Sequence, residues 1–296
     1  MEVCVLPNVQ LFKTSGRIVS MNLEHLFEPR HPNGLSWPDI GVYLAESKKL
    51  LFCPIAKCGS TSLKRLMVEL SDVPHKQEIL AEDVHRATGV FRTGALLIDL
   101  DPDHAMQIIQ DPDFFRFSVV RDPFDRLLSA FREKFVVNRL QPPNHWHTCE
   151  VLTNVQGQDQ PDYDEGISFA EFIDFITTQP PEKLDTHWRP QSHYLRTMRY
   201  DRLYAFEDFG TLESDLELRI GQSLKIQHRN RSIGVEQREV LGITRQRAGT
   251  IEAIAEVSKR SFMEDPELLD KVEAYYAEDR RQYCDALEVT RRSPVR

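Results

Sequence analysis

The stretch LLFCPIAKCGSTSLKRL, residues 50–66, decides the fold, because it reads as a strand that turns into a helix through a polar loop. Residues 49–54 have the apolar content of a short buried strand. Residues 61–70 are expected to form a helix, since their leucines and methionine recur at helical spacing. The loop between strand and helix therefore sets the chemistry of this end of the predicted sheet.

This loop is suited to binding a phosphate. The N-terminus of a helix offers backbone N–H groups and the positive end of a dipole, both of which attract anions. Lys57 adds a full positive charge, and Gly59 lets the backbone approach a ligand closely. A surface turn with a helix cap is the alternative. The other residues of the predicted anion site are Cys58, Ser60, Thr61 and Ser62.

The loop differs from the Walker A motif of P-loop NTPases. That motif, GxxxxGK[ST], places its lysine after the second glycine. Here the lysine precedes the only glycine of the loop, and no acidic strand end that could bind Mg²⁺ follows nearby. The order of residues therefore argues against a nucleotide kinase, which stays the alternative of a different class.

A second strand–helix junction lies downstream. Residues 114–120, FFRFSVV, predict a strand, and Asp122 and Pro123 are typical of a helix N-cap and first helical position. Arg121 follows the strand directly, and Ser129 comes two turns into the helix. Ligands of open α/β sheets bind at strand carboxyl ends, so these two residues are expected to hold a second phosphate. An exposed arginine in a helix-capping RDP sequence is the alternative.

The rest of the chain fits the same fold class. Strands alternating with helices predict a single α/β domain with a largely parallel sheet and helices on both faces. The remaining predicted segments are an irregular lead-in (1–45), a main domain (46–290) with a loop-rich insertion (139–166), a helix (167–179), a strand (203–209) and a terminal helix (266–287).

The charge, the hydropathy pattern and the cysteine spacing argue against several classes of protein. The net charge of −9 over 296 residues argues against nucleic-acid binding by the whole domain. The first residues lack the pattern of a signal peptide, and no apolar run is long enough to predict a membrane span. The five cysteines are scattered without a disulfide or metal-site spacing. We therefore expect a cytoplasmic protein with reduced thiols and no bound metal.

Three stretches together resemble the carbohydrate sulfotransferases, in the branch of the chondroitin and dermatan enzymes and their bacterial relatives. They are PIAKCGSTSLKRL (54–66), FSVVRDPFDRLLSAFREKF (117–135) and DTHWRPQSHYL (185–195). The resemblance covers roughly residues 50–285. It is specific because the lysine loop and the RDPF segment occur in register, and either alone would be weak.

The resemblance implies a P-loop-like sheet and a sulfate donor, 3′-phosphoadenosine 5′-phosphosulfate (PAPS), with no metal. Lys57 and the 59–62 loop would hold the 5′-phosphosulfate, and Arg121 and Ser129 the 3′-phosphate. An acceptor hydroxyl, most simply of a saccharide or glycan, would attack the sulfur in line with the leaving oxygen. A non-catalytic nucleotide-binding relative is a further alternative. The acceptor and the oligomeric state stay open.

Two histidines are candidates for the general base. The related enzymes have a histidine at the position of His85, so we predict that His85 takes the proton of the acceptor hydroxyl. His187 is the rival, either as base or as a packing residue beside Trp188. Three further groups are candidates for acceptor contact: the histidines and tryptophan of 145–147, the arginines of 189–202, and HRNRS (228–232).

Overall fold

A computed structural model describes residues 23, 26–28, 41–196, 198–226, 237–251 and 253–292. In this part of the chain the strands form one four-stranded sheet of order β1–β2–β3–β4. The strands are β1 (Tyr43–Ala45), β2 (Leu50–Cys53), β3 (Phe115–Val120) and β4 (Arg202–Ala205).

The sheet is mixed rather than wholly parallel. β2, β3 and β4 run parallel, as predicted, whereas β1 pairs antiparallel with β2. The short turn Glu46–Lys48, followed by Lys49 in the left-handed region (φ 53°), joins β1 to β2. Because so short a connection can only form a hairpin, β1 must be antiparallel. The predicted irregular lead-in (1–45) was therefore wrong for β1, and most of it lies outside the described residues.

Helices flank the sheet. The π-helical turn Arg132–Val137 extends α5. The α-helices are α1 (Ser60–Leu70), α2 (Lys76–Ala81), α3 (Val84–Val90), α4 (Pro102–Gln110), α5 (Pro123–Phe131), α6 (Pro142–Gln156), α7 (Phe169–Ile176), α8 (Gln191–Tyr194), α9 (Phe209–Ile220), α10 (Lys259–Phe262), α11 (Pro266–Tyr275) and α12 (Ala277–Arg292).

Successive side chains of the strands pack in two different hydrophobic cores. Phe52 packs with residues of α1 and α9 on one face of the sheet, whereas the adjacent Leu51 packs with Ile108 of α4 on the other. Because successive side chains of a strand point to opposite faces, both faces of the sheet are covered. A third, aromatic core forms beside the sheet from α5, α6, α7 and α11, with Phe131 and Trp188 at its centre.

Several predicted elements need correction. Pro142–Gln156 of the predicted loop-rich insertion is a helix, which begins at two prolines and ends at Gly157 in the left-handed region. Its polar sequence has little apolar periodicity, so the pattern gave no helical signal. The predicted strand 203–209 ends at Ala205, and the predicted terminal helix is broken at Tyr276.

The helices predicted at both junctions are confirmed, with Asp122 capping α5 through the N–H of Asp125 at 3.0 Å. The domain bounds 46–290 stay a prediction. Within the described residues, no helix combines the length and the apolar character needed to cross a bilayer.

Candidate active site

The loop between β2 and α1 has an unusual backbone. Both Lys57 (φ 68°) and Gly59 (φ 72°) lie in the left-handed region, which a lysine rarely adopts. A Cβ on Gly59 would lie 2.6 Å from the Phe209 ring, so glycine is required there for space as well as conformation. No side chain caps the N-terminus of α1, which leaves the N–H groups of Ser60 and Thr61 to face an incoming anion.

Arg121 joins this loop from the second junction. Its Nη1 donates to the carbonyl oxygen of Lys57 at 3.1 Å, and its guanidinium lies 4.5 Å over the Phe206 ring. Its Nε–H is buried and has no hydrogen-bond partner in the described part of the chain. The two junctions predicted to bind phosphate therefore form one site, with a buried arginine donor left for a ligand.

Gln191 fixes the relative position of the two junctions. This fully buried residue accepts from the backbone N–H of Arg121 at 2.8 Å and donates to its carbonyl oxygen at 2.7 Å. The Sγ of Cys58 lies 3.3 Å from the same amide oxygen. Asp279 of α12 in turn accepts the N–H groups of Gln191 and Ser192 at 2.6 and 2.8 Å. Sequence reasoning missed Gln191, although it lies within the quoted stretch 185–195.

Arg126 also holds two segments of the site together through hydrogen bonds, and sequence reasoning missed this residue too. It is 1% exposed, and its guanidinium donates to three backbone carbonyl oxygens: Ala56 at 2.9 Å, Arg189 at 2.8 Å and Thr186 at 3.2 Å. The first oxygen belongs to the anion loop and the other two to the segment that carries His187. The Arg126 side chain thus sets the distance between the loop that carries Lys57 and the segment that carries His187.

We expect Arg126→Met to lower the free energy of unfolding by about 2–4 kcal/mol, because three buried carbonyl oxygens would lose their charged donor. Chemical denaturation measures this loss. Arg281→Met is the matched control, since Arg281 is 69% exposed and should change stability by no more than about 0.5 kcal/mol. Equal stability of the two variants would contradict the structural role of Arg126.

Lys57 forms an ion pair with Glu133, which lies in the π-helical turn after α5. The Lys134 ammonium lies 3.3 Å from the other oxygen of Glu133. Burial lowers the pKa of Lys57, and Glu133 offsets part of this change. Burial alone would raise the pKa of Glu133, but the two lysines lower it to about 2. This pair could not be predicted from the sequence, because 76 residues separate its members.

His187 belongs to a half-buried cluster with Asp185 and His147. Nδ1 of His187 lies 2.7 Å from one oxygen of Asp185, and Nδ1 of His147 lies 2.8 Å from the other. These bonds hold the pKa of Asp185 well below its ordinary value despite burial. Since a carboxylate only accepts, the Nδ1 atom of each ring carries a proton, and in His187 this leaves Nε2 as the basic atom.

His85 lies on α3 and contacts Thr61 in the first turn of α1. The sequence order, which places His85 between the two junctions, predicted a position near this loop. Its Nε2 is 2.8 Å from Oγ1 of Thr61, and its Nδ1 is 2.9 Å from the Lys64 ammonium. Because an ammonium only donates, Nδ1 is the acceptor and Nε2 carries the proton. Both ring nitrogens of His85 are therefore engaged by residues of α1.

A metal ion is one conceivable occupant of the cluster of His147, Asp185 and His187. Their ligand atoms lie within 4.8 Å of one another, the one group in the described residues with this property. However, both Nδ1 atoms are already satisfied by the carboxylate. The three side chains thus form a hydrogen-bonded network in which Asp185 orients two imidazoles through their Nδ1 atoms.

The remaining residues predicted for the site have different surroundings. Cys58 is buried, which raises the pKa of its thiol to about 11 and makes it a packing residue. Ser129 is half-buried on α5, and its hydroxyl has no partner among the described residues. Of the arginines of 189–202, Arg202 pairs with Asp215 at 2.6 Å beside β4, away from the loop. Residues 228–232 lie outside the described residues.

Comparisons with known proteins agree with the resemblance seen in the sequence. A family model described as "Sulfotransferase family" matches residues 41–283. Carbohydrate sulfotransferase 14 of Homo sapiens is 27% identical over 177 residues, which is 59% of this chain and 44% of that protein. Carbohydrate sulfotransferase 10 of Homo sapiens is 28% identical over 170 residues, 55% of this chain and 45% of that protein. The chain spans less than half the length of these relatives. No solved structure matches the chain.

Proposed function

The chain belongs to the sulfotransferase family, and on this premise we propose that it transfers the sulfuryl group of PAPS to a hydroxyl of a carbohydrate acceptor. The observation that carries the proposal is the 3.1 Å hydrogen bond between Arg121 and the carbonyl oxygen of Lys57, which unites two anion-binding junctions in one cleft. The likeness to carbohydrate sulfotransferases 14 and 10 supports the acceptor class.

The donor has two anionic ends, and the site offers two sets of donors. The 5′-phosphosulfate is assigned to Lys57 and the first turn of α1, and the 3′-phosphate to Arg121 and Ser129. The unpaired Nε–H of Arg121 supports an anion at this place. Parallel strands β2 and β3, each followed by one of these helices, support a P-loop-like fold for the proposed donor site.

The reaction needs one proton acceptor and one cation. The acceptor oxygen forms a bond to sulfur as its proton leaves, and the bond from sulfur to the phosphate oxygen breaks. The electron pair stays on that oxygen of adenosine 3′,5′-bisphosphate, where the Lys57 ammonium stabilises the developing charge. Transfer of this kind depends on positioning and preorganised charge. The hydrogen bonds of Arg126 and Gln191 provide the positioning.

We propose His187 as the general base. Its Nδ1–H is held by Asp185 at 2.7 Å, and its Nε2 has no partner among the described residues. Burial lowers the pKa of His187 to about 4, although Asp185 acts in the opposite direction, so the ring is neutral at physiological pH. His85 was predicted for this role and stays a candidate, but Lys64 and Thr61 already occupy its ring nitrogens.

Two measurements test the function. Adenosine 3′,5′-bisphosphate should raise the melting temperature of the protein without Mg²⁺, and labelled sulfate should pass from PAPS to members of a glycan panel. A nucleotide kinase would instead be stabilised by ATP with Mg²⁺. Stabilisation by ATP with Mg²⁺ alone, with no response to the bisphosphate, would overturn the proposal.

Glu133→Gln is expected to tighten the binding of adenosine 3′,5′-bisphosphate by about threefold to tenfold, as measured by calorimetry. In the wild-type protein the 5′-phosphate must compete with the Glu133 carboxylate for Lys57. The neutral amide removes both this competition and a like charge beside the phosphate.

Glu264→Gln is the control for this prediction, because Glu264 is an exposed carboxylate outside the site. It should leave the affinity unchanged. Weaker binding of the bisphosphate to the Glu133→Gln variant would mean that Glu133 positions Lys57 for the donor rather than competing with it.

A further inference from the structure

A cavity of about 280 Å³ opens between α6 and the segment 179–189. Two members of the imidazole–carboxylate cluster, His147 and Asp185, form part of its wall, whereas His187 is not among the residues that line it. Small-molecule sites commonly span about 300–1,000 Å³. The volume of this cavity lies just below that range, which suits it to one ring rather than to a long chain.

The cavity wall carries an exposed aromatic ring and two exposed charged groups. Trp146 of α6 lines it and is 59% exposed. Glu150 lies one helical turn further on the same face of α6, and Lys183 joins from the facing segment. Neither Glu150 nor Lys183 has an ion-pair partner in the described part of the chain. The cavity wall therefore combines an exposed indole with a carboxylate and an ammonium that can contact a ligand.

These groups match the chemistry of a sugar ring. One face of a pyranose is a set of C–H groups that can lie on an indole, while its hydroxyls donate to a carboxylate and accept from an ammonium. Lys183 and Arg189 bring positive charge to the same cavity, and Glu150 brings the opposite charge. Because the cavity wall carries both charges, it can form hydrogen bonds with several hydroxyls of the same ring.

The position of the cavity relative to His187 decides which ring it can hold. Nδ1 of His187 faces Asp185, and Asp185 belongs to the cavity wall. The basic Nε2 is on the other side of the imidazole ring, so it points away from Asp185, and His187 itself does not line the cavity. A hydroxyl that reaches Nε2 must then belong to a part of the acceptor outside the cavity.

We propose that this cavity is an acceptor subsite for the sugar ring next to the one that is sulfated, so that the acceptor is a glycan of two or more rings. The inference rests on the proposed sulfotransfer. Trp146 holds the neighbouring ring, and the glycosidic linkage carries the reacting ring past His147 to His187.

Direct binding tests this subsite. Calorimetry would compare unsulfated chondroitin, dextran and cello-oligosaccharides of two to six rings with their constituent monosaccharides, with and without adenosine 3′,5′-bisphosphate. For at least one series, the wild-type protein should bind the oligosaccharide at least about tenfold more tightly than the monosaccharide. Trp146→Ala should abolish this difference, and Trp146→Phe should retain most of it.

Leu218→Ala is the matched control, because Leu218 is an 87% exposed apolar residue of α9 outside the cavity. It should leave every affinity unchanged. The subsite is overturned if the wild-type protein binds none of the probes, if it does not distinguish oligosaccharide from monosaccharide, or if the Trp146→Ala variant keeps the difference. Failure of the proposed function looks different, because the bisphosphate would then not bind while these saccharide measurements stay valid.

Discussion

Lys57→Ala is expected to lower the turnover number for sulfate transfer by about 10²–10³-fold. The half-buried Lys57 ammonium is the full positive charge assigned to the oxygen that leaves with adenosine 3′,5′-bisphosphate. The same substitution should weaken binding of the bisphosphate, because Glu133 would lose its partner and repel the 5′-phosphate. Labelled-sulfate transfer gives the turnover, and calorimetry without Mg²⁺ gives the affinity.

The double variant Lys57→Ala/Glu133→Gln separates these two effects. Removing the carboxylate as well should restore part of the lost affinity, whereas turnover should stay low because no cation is left at the leaving oxygen. Lys225→Ala, which removes an exposed lysine outside the site, should behave as the wild type. If Lys57→Ala turned over at the wild-type rate, Lys57 would not be the group that stabilises the leaving oxygen.

The donor side of the site could be predicted because its signals are local. A helix N-terminus, a lysine and a glycine lie within three residues of one another, and Arg121 directly follows a strand whose composition is plain. Parallel strands bring their carboxyl ends to one edge of a sheet, so two such junctions imply one site. In the structure the two junctions are in contact, because Arg121 donates to the carbonyl oxygen of Lys57 at 3.1 Å.

The groups that hold the site together could not be predicted, because their partners are distant in sequence. Gln191 contacts Arg121 across 70 positions, and Arg126 spans 63 positions to Arg189. Neither residue type has a pattern that marks it as buried, since glutamine and arginine are mostly exposed. Likewise, the buried face of α6 mixes polar residues (Asn144, Thr148) with apolar ones (Val151, Leu152), so its sequence shows no clear apolar periodicity.

The ambiguity between His85 and His187 has the same origin. Order along the chain favoured His85, because it falls between the two junctions, and it does lie beside the donor loop. What sequence order cannot give is the protonation pattern, which depends on Lys64 at one nitrogen of His85 and on Asp185 at Nδ1 of His187. The partners favour His187 as the residue with an open basic atom.

His187→Ala is therefore expected to lower turnover by about 10²–10⁴-fold, the usual loss for a general base, while leaving the affinity for adenosine 3′,5′-bisphosphate unchanged. Asp185→Asn should lower turnover by about 10–100-fold, since the amide no longer fixes the tautomer or stabilises the imidazolium that forms. His104→Ala, an exposed histidine of α4, is the control and should have no effect. A low turnover in His85→Ala together with normal turnover in His187→Ala would reverse the assignment.

The pH dependence gives an independent readout of the same base. A base acts in its neutral form, so kcat/KM should be insensitive to this group at neutral pH and should fall as pH drops through the pKa of His187, about 4. The Asp185 carboxylate acts to raise the pKa of His187, so Asp185→Asn should move the acid limb to lower pH even as the maximum rate declines. A role for Asp185 in packing alone would lower the rate or the stability without moving the limb. Loss of the limb in His187→Ala, with the limb intact in His85→Ala, would identify His187 as the group that titrates.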